Sequence, residues 1–260
     1  MIKEESTYQT QKNCLTNPTT SYIGLCTICE EYTPFDKHSE NLRETFICKK
    51  CGSNSRNRHL AKVLCHTLSG GDNNINSLKE LVKKFSNLRI YEAQASGAIN
   101  SVLKNLDRYV HSEFFADIKL GSLKLGIRCE NLQSLTFKDE TFDAVITQDV
   151  FEHISKPWVA FKEVHRVLKP SGCHIFTIPY NKDSKTVERV KIEGNKEIYL
   201  LPKVFHEDSI GDGLVYTDFG CDVLDRLKDI GFSTEVIWSN EKDCMKNQIY
   251  WSVVFVSKKA

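Results

Sequence analysis

The stretch that decides the fold is LTFKDETFDAVITQDVFEHISKPWVAFKEVHRVLKPSGCHIFTIP, residues 135–179. Asp143 opens a short apolar run, AVIT, that reads as a buried strand. KPWVAFKEVHRVL follows as an amphipathic helix, and the proline and glycine of LKPSG stop it, so that the chain reverses directly into a second strand, GCHIFTIP. A strand, a helix and a strand in that order build a parallel crossover. Gln148 and Asp149 fall at the carboxyl end of the first strand, where ligands of doubly wound sheets sit.

The same alternation extends outward. After a turn-rich break at SGGDNN, residues 69–74, LKELVKKF reads as a helix, LRIYEA as a strand, GAINSVLKNL as a helix, and RYVHSEF and LGIRCE as strands. Downstream, FGCDVLDRLKDIG is a helix stopped by Gly231. FSTEVIWS and IYWSVVFVS then close the chain as two strands with no helix between them. The pattern predicts an α/β fold: a doubly wound, mostly parallel seven-stranded sheet with a C-terminal antiparallel hairpin. The polar span YNKDSKTVERVKIEGNKE, residues 180–197, reads as a lid or exposed loop within an insertion covering about 180–216.

The front of the chain has a different composition. Cys26 and Cys29, then Cys48 and Cys51, form two CxxC knuckles with the spacing of a zinc ribbon, and Gly52 permits the tight turn after the second. Four thiolates close the coordination sphere, so the expected zinc is structural and not catalytic. The expected organisation is a flexible N-terminus at 1–20, a zinc-ribbon-like four-cysteine segment at 21–56, a helical connection at 57–84, and the α/β domain at 85–260. Arg56, Arg58 and His59 directly after the knuckles admit a phosphate-gripping edge; a solvated helix start is the preferred reading.

Bulk composition narrows the class. Lys and Arg total 35 against 34 for Asp and Glu, which gives no global footprint for nucleic acid or for an anionic membrane surface. The polar start MIKEESTYQTQKN lacks a secretory apolar core, and no stretch approaches the roughly 20 apolar residues of a membrane span. The six cysteines outside the knuckles, Cys14 among them, are scattered singly, as in a reducing compartment. A cytoplasmic location is expected, with no membrane partner; oligomeric state is left open.

The central stretch resembles class I S-adenosylmethionine-dependent methyltransferases of the type 11 kind. That family shows an LPF-like turn, an FD leading into the fourth strand, an EH after it, and RVLKPGG before the fifth strand. Here these are Leu135 to Phe137, Phe142 and Asp143, Glu152 and His153, and Arg166 to Gly172, with Ser171 in place of the first glycine. The resemblance covers roughly residues 85–257. It implies S-adenosylmethionine as cofactor and places its contacts residue by residue. Glu92 falls on the acid that ends the first strand, and Gln94, Ser96 and Ala98 occupy the glycine positions of the following loop, with Gly97 between. Glu113 falls on the acid that accepts from both ribose hydroxyls. Glu130 and Asn131 take the adenine-amine position, and Gln148 and Asp149 line the methionine end. S-adenosylmethionine carries no phosphate, so small residues suffice where a pyrophosphate site needs glycine. Gln94 is either tolerated at a negative φ or fills the pocket and marks a cofactor-free relative; the retained acids favour binding.

Methyl transfer is an in-line displacement that the protein mainly aligns, with a base where the acceptor is a hydroxyl and no need of a metal. His206, in LLPKVFHEDSIGDGLVYTDFG beside Glu207, Asp208 and Asp212, is the leading acceptor-site candidate. His153 is the second, and Tyr180 and Tyr216 are candidate pocket walls. The expected activity is O-methylation of a small molecule or glycan precursor. Two other readings stay open: an RNA or protein methyltransferase that docks through the ribbon, and a non-catalytic interaction module.

Overall fold

In a computed structural model of the chain, which describes residues 22–194, 196–207 and 212–260, the paired cysteines stand on a three-stranded antiparallel ribbon. Its strands are β1 (Ile23–Leu25), β2 (Tyr32–Asp36) and β3 (Ile47–Cys48), with Leu25 opposite Tyr32 and Phe35 opposite Cys48. The segment at 1–20, Cys14 within it, and Asp208 lie outside the described residues. Helix α1 (Ser55–Leu68) begins on a reciprocal cap: the Asn57 amide donates to Asn54 Oδ1 at 2.8 Å, and the Asn54 amide donates to Asn57 Oδ1 at 3.2 Å. Two donors that a helix start leaves open are thereby satisfied. Ser77 caps α2 (Leu78–Lys84) through Glu80 N.

Strands and helices then alternate: β4 (Ile90–Glu92), α3 (Ala98–Leu103), β5 (Val110–Glu113), β6 (Leu123–Lys124), β7 (Ile127–Cys129) and β8 (Phe142–Gln148). A 3-10 turn at Phe151–His153 leads to α4 (Pro157–Val167) and β9 (Leu168–Thr177). The insertion holds β10 (Tyr180–Asn181), β11 (Val187–Glu188), β12 (Val190–Glu193), β13 (Lys196–Tyr199), β14 (Phe205–Glu207), β15 (Asp212–Leu214) and β16 (Thr217–Gly220). Helix α5 (Val223–Ile230), β17 (Phe232–Trp238), α6 (Glu241–Asn247) and β18 (Val253–Lys259) complete the order.

The main sheet runs β17-β18-β9-β8-β4-β5-β7-β6. Neighbours from β9 through β7 are parallel, while β18 runs antiparallel to β9 and β6 antiparallel to β7. This is the mostly parallel α/β sheet that the sequence implies, with the two-residue edge strand β6 as an eighth member. Because β4 has β5 on one side and β8 on the other, chain order reverses there. The carboxyl ends of these strands therefore frame the crevice in which such sheets bind ligands.

The chain divides into two compact units. One comprises the described residues through Leu88, with Ser96–Tyr109 and Val236–Val254; the other comprises Arg89–Ala95, Val110–Glu235 and Phe255–Ala260. In the first, Arg58 is fully buried, and its guanidinium donates to the carbonyls of Asn247, Ser53 and Gln248 at 2.9, 2.6 and 2.7 Å. It also lies 4.2 Å from the Phe35 ring centre. In the second, Phe151 stacks on Phe161 at 3.9 Å, and Phe176 stacks on Phe255 at 5.0 Å. Strand β8 is buried over nearly its whole length, as a central parallel strand must be.

One expectation is corrected. The closing strands do not follow each other directly: α6 stands between them, held by an Asn240–Asp243 capping box and by the ion pair of the buried Asp243 with Lys62 on α1. Within the span at 180–197, β12 and β13 pair antiparallel with Val190 opposite Tyr199 and Glu193 opposite Lys196. Alternation of Val190 and Ile192 with charged residues lets this pairing form.

Candidate functional site

A cavity of about 390 Å³ opens at the carboxyl ends of the parallel strands in the second unit. Ala93 follows β4, Glu113 ends β5, Asn131 follows β7 and Asp149 follows β8; all four line it, with His153, Ile154 and Tyr216 on a further wall. Glu113 Oε1 accepts the amide of Ala95 at 2.9 Å, which ties the bend after β4 to the tip of β5. Glu130 also lines the cavity, but its carboxylate accepts from Arg128 Nε at 2.6 Å, from the Thr136 amide at 2.9 Å and from the Thr136 hydroxyl. Those bonds make it a brace of the wall.

The acid at the end of β4 is placed differently. Glu92 is fully buried, and its Oε1 accepts from Gln148 Nε2 at 3.0 Å. The same nitrogen donates to Gln94 Oε1 at 3.0 Å. Gln94 is thus turned toward Gln148, and one amide joins the strand-end acid, the bend and the end of β8. Ser96 and Gly97 belong to the first unit and are exposed. Gly97 has φ 101° and ψ 178° directly before α3, a conformation that any Cβ disfavours, so the one glycine of this bend stands where glycine is required.

A second grouping lies beside the cavity. Glu152, 1% exposed, has Oε1 3.8 Å from His153 Nε2 and 3.9 Å from His206 Nδ1. The two imidazoles meet edge to face with centres 5.3 Å apart. His153 Nδ1 lies 2.9 Å from the Leu214 carbonyl, which only an N–H can satisfy, so Nδ1 carries the proton and Nε2 faces Glu152. Thus both catalytic candidates converge on one acid. Tyr216 lines the cavity and donates its hydroxyl to Glu197. Tyr180 packs edge-on against Phe255.

In the first unit the four knuckle thiols converge, with ligand atoms all within 4.8 Å of one another. Cys26 Sγ is 3.6 Å from Cys51 Sγ, and Cys29 Sγ is 3.9 Å from Cys48 Sγ. Sulfurs about 2.3 Å from one tetrahedral ion lie about 3.8 Å apart, so the spacing fits. Glu30 and Gly52, each directly after the second cysteine of a knuckle, share a left-handed backbone with φ of 65° and 74°. Hydrogen bonds from Cys48 and Cys51 hold the Cys26 thiol far below its ordinary range, whereas burial pushes Cys29 up to about 12. Such a cluster shares protons unless a cation takes their place. The basic edge after the knuckles is otherwise engaged: Arg58 is buried, and Arg56 pairs with Glu44 at 2.7 Å.

Sequence reasoning missed Glu152 as a site residue, although it stands in the EH pair, because its neighbour His206 comes from a distant hairpin. It also missed Ala95 as the donor to Glu113. Among the described residues no helix is long and apolar enough to cross a membrane.

Comparison with known proteins agrees with these motifs. Residues 100–176 match the profile of a family described as a methyltransferase domain. An uncharacterized protein of Methanocaldococcus jannaschii is 30% identical over 151 residues, 48% of this chain and 66% of that one. The cycloartenol-C-24-methyltransferase of Arabidopsis thaliana is 32% identical over 120 residues, covering 45% of this chain and 31% of that one. A ubiquinone biosynthesis O-methyltransferase of Parvibaculum lavamentivorans is 24% identical over 136 residues, with 48% and 53% covered. The chain spans at most 66% of the length of these relatives.

Proposed function

We propose that the chain is an S-adenosylmethionine-dependent methyltransferase acting on a hydroxyl of a small molecule or glycan precursor. The observation that carries this reading is the cavity at the strand ends, with Glu113 on its wall and bonded to the bend after β4. When bound, the cofactor supplies an electrophilic methyl group on a sulfonium sulfur. Glu113 accepts from the ribose hydroxyls, two directional bonds that a carboxylate suits. Asn131 takes the adenine edge, since the Glu130 carboxylate already serves Arg128 and Thr136. Asp149 closes the methionine end, and the Glu92–Gln148–Gln94 link fixes the floor beneath it.

His153 and His206 serve the acceptor side, where O-methylation requires loss of the hydroxyl proton. The named relatives methylate different atoms, one a ring-system carbon by its C-24 designation and one an oxygen. The O-methylation reading therefore leans on the paired imidazoles beside the cavity. In the first unit the four cysteines hold a structural zinc ion that fixes the ribbon, and residues 85–260 carry the activity. The pairing of Arg56 with Glu44 and the burial of Arg58 favour the small-molecule reading over docking of nucleic acid at that edge. Calorimetric titration with S-adenosylhomocysteine tests the reading: one-site binding supports it, and silence from folded protein favours a non-catalytic module.

A further inference from the structure

We propose that Glu152, His153 and His206 form a divalent-cation site that takes zinc through one carboxylate and two imidazoles. The three offer one ligand atom each, all within 4.8 Å of one another, as the knuckle cysteines do. Glu152 Oε1 stands 3.8 Å from His153 Nε2 and 3.9 Å from His206 Nδ1. Those gaps exceed a hydrogen bond and approach the roughly 3.4 Å that separates ligands set about 2.1 Å from a tetrahedral ion.

The surroundings match what such a site needs. Imidazole ligands donate their other nitrogen to a carbonyl or carboxylate, which fixes the tautomer and aims the lone pair. His153 does this through Nδ1 to the Leu214 carbonyl at 2.9 Å, leaving Nε2 toward Glu152. Strands β14 and β15 form the hairpin that presents both His206 and that carbonyl, with His206 opposite Gly213 and Phe205 opposite Leu214. One hairpin thus delivers a ligand and the orienting group of another ligand. The acid is buried, which sets a carboxylate ligand in a low-dielectric surrounding where its attraction for a dication is strong. His206 keeps 43% side-chain exposure, which gives an ion a path of entry.

Two histidines and one carboxylate leave a coordination position open, the pattern of catalytic rather than structural zinc. His153 also lines the cavity, so the ion would stand beside it. With an ion bound, the two histidines would serve the acceptor side as its ligands, and the ion rather than a free imidazole would lower the pKa of an acceptor hydroxyl. Only that last consequence rests on the methyltransferase reading; the binding of zinc does not.

The test is equilibrium dialysis of the full chain against zinc, with bound metal quantified by mass spectrometry, for the wild type and for His206→Ala and Glu152→Gln. Thermal melting and S-adenosylhomocysteine titration accompany each sample. Two zinc equivalents in the wild type, and one in both variants while each variant still melts cooperatively, are expected. Loss of the second equivalent should correspond to an affinity lower by about tenfold or more. One equivalent in the wild type, or two in folded variants of both kinds, overturns the site. If the second equivalent behaves as expected while S-adenosylhomocysteine fails to bind, the cation site stands and the methyltransferase reading falls.

Discussion

The amide of Ala95 donates to Glu113 Oε1 at 2.9 Å, so the bend after one parallel strand is fastened to the acid at the tip of the next. A side chain that orders the loop and faces the cavity couples loop conformation to ligand binding. Glu113→Ala should therefore weaken S-adenosylhomocysteine binding by about 1–3 kcal/mol, the worth of hydrogen bonds to a charged group. Calorimetry at constant pH measures it, and an unchanged affinity would show that the ribose is held elsewhere.

The knuckle cysteines predict a different response. Cys48→Ser should remove the thiolate-bound equivalent of zinc and lower the melting temperature, because metal affinity at such a site is folding free energy. Metal content and thermal denaturation of the same sample check this. A variant that keeps both its zinc and its melting temperature would remove Cys48 from the ligand set.

Arg58 is the inner support of the first unit. Arg58→Ala leaves the carbonyls of Ser53, Asn247 and Gln248 without their donor and should cost about 3–5 kcal/mol, read as a shift in the urea midpoint. A loss below about 1 kcal/mol would mean that water replaces the guanidinium without penalty.

Ser171 stands at φ 62°, in the left-handed region, at the position where the resembling family has glycine. A side chain there costs about 1–2 kcal/mol relative to glycine. Ser171→Gly should raise stability by about 1 kcal/mol, after glycine's greater freedom in the unfolded chain is set against the relieved strain. Chemical denaturation decides it, and a destabilised variant would show that the serine side chain holds the turn.

Two buried histidines set a pH response. Burial pushes His59 down to about 4 and His174 down to about 3, from 6.5 in the unfolded chain. Between those values the unfolded chain binds more protons, so stability is full above about pH 6.5 and falls as pH drops toward 4. The slope is about 1.4 kcal/mol per pH unit for each group. Denaturation midpoints at pH 7, 6 and 5 should show this decline, and His174→Phe should remove about half of it. A flat profile would indicate that the rings are hydrated in the native state.

Local pattern carried most of the fold. The run from Phe142 to Thr177 contains its own periodicity and punctuation, and strand, helix and strand form there as read. The knuckles were legible for the same reason, since a CxxC turn aims two sulfurs by local geometry. Helix α6 had a local signal too, Asn240 with Asp243 three residues on, but its seven residues are too few to stand out by period. Its place became visible through tertiary partners: Lys62, which pairs with Asp243, and Arg58, which donates to the Asn247 carbonyl.

The amino-acid sequence by itself determined the α/β class, the central strand–helix–strand unit and the four-cysteine spacing, because each rests on pattern within a short window. Only the tertiary structure decided which polar groups meet: that Glu130 braces Arg128, that Gln94 turns toward Gln148, and that His206 comes to face Glu152 and His153. Such meetings depend on how separate elements pack, and backbone propensity holds no information about a partner supplied by a distant hairpin.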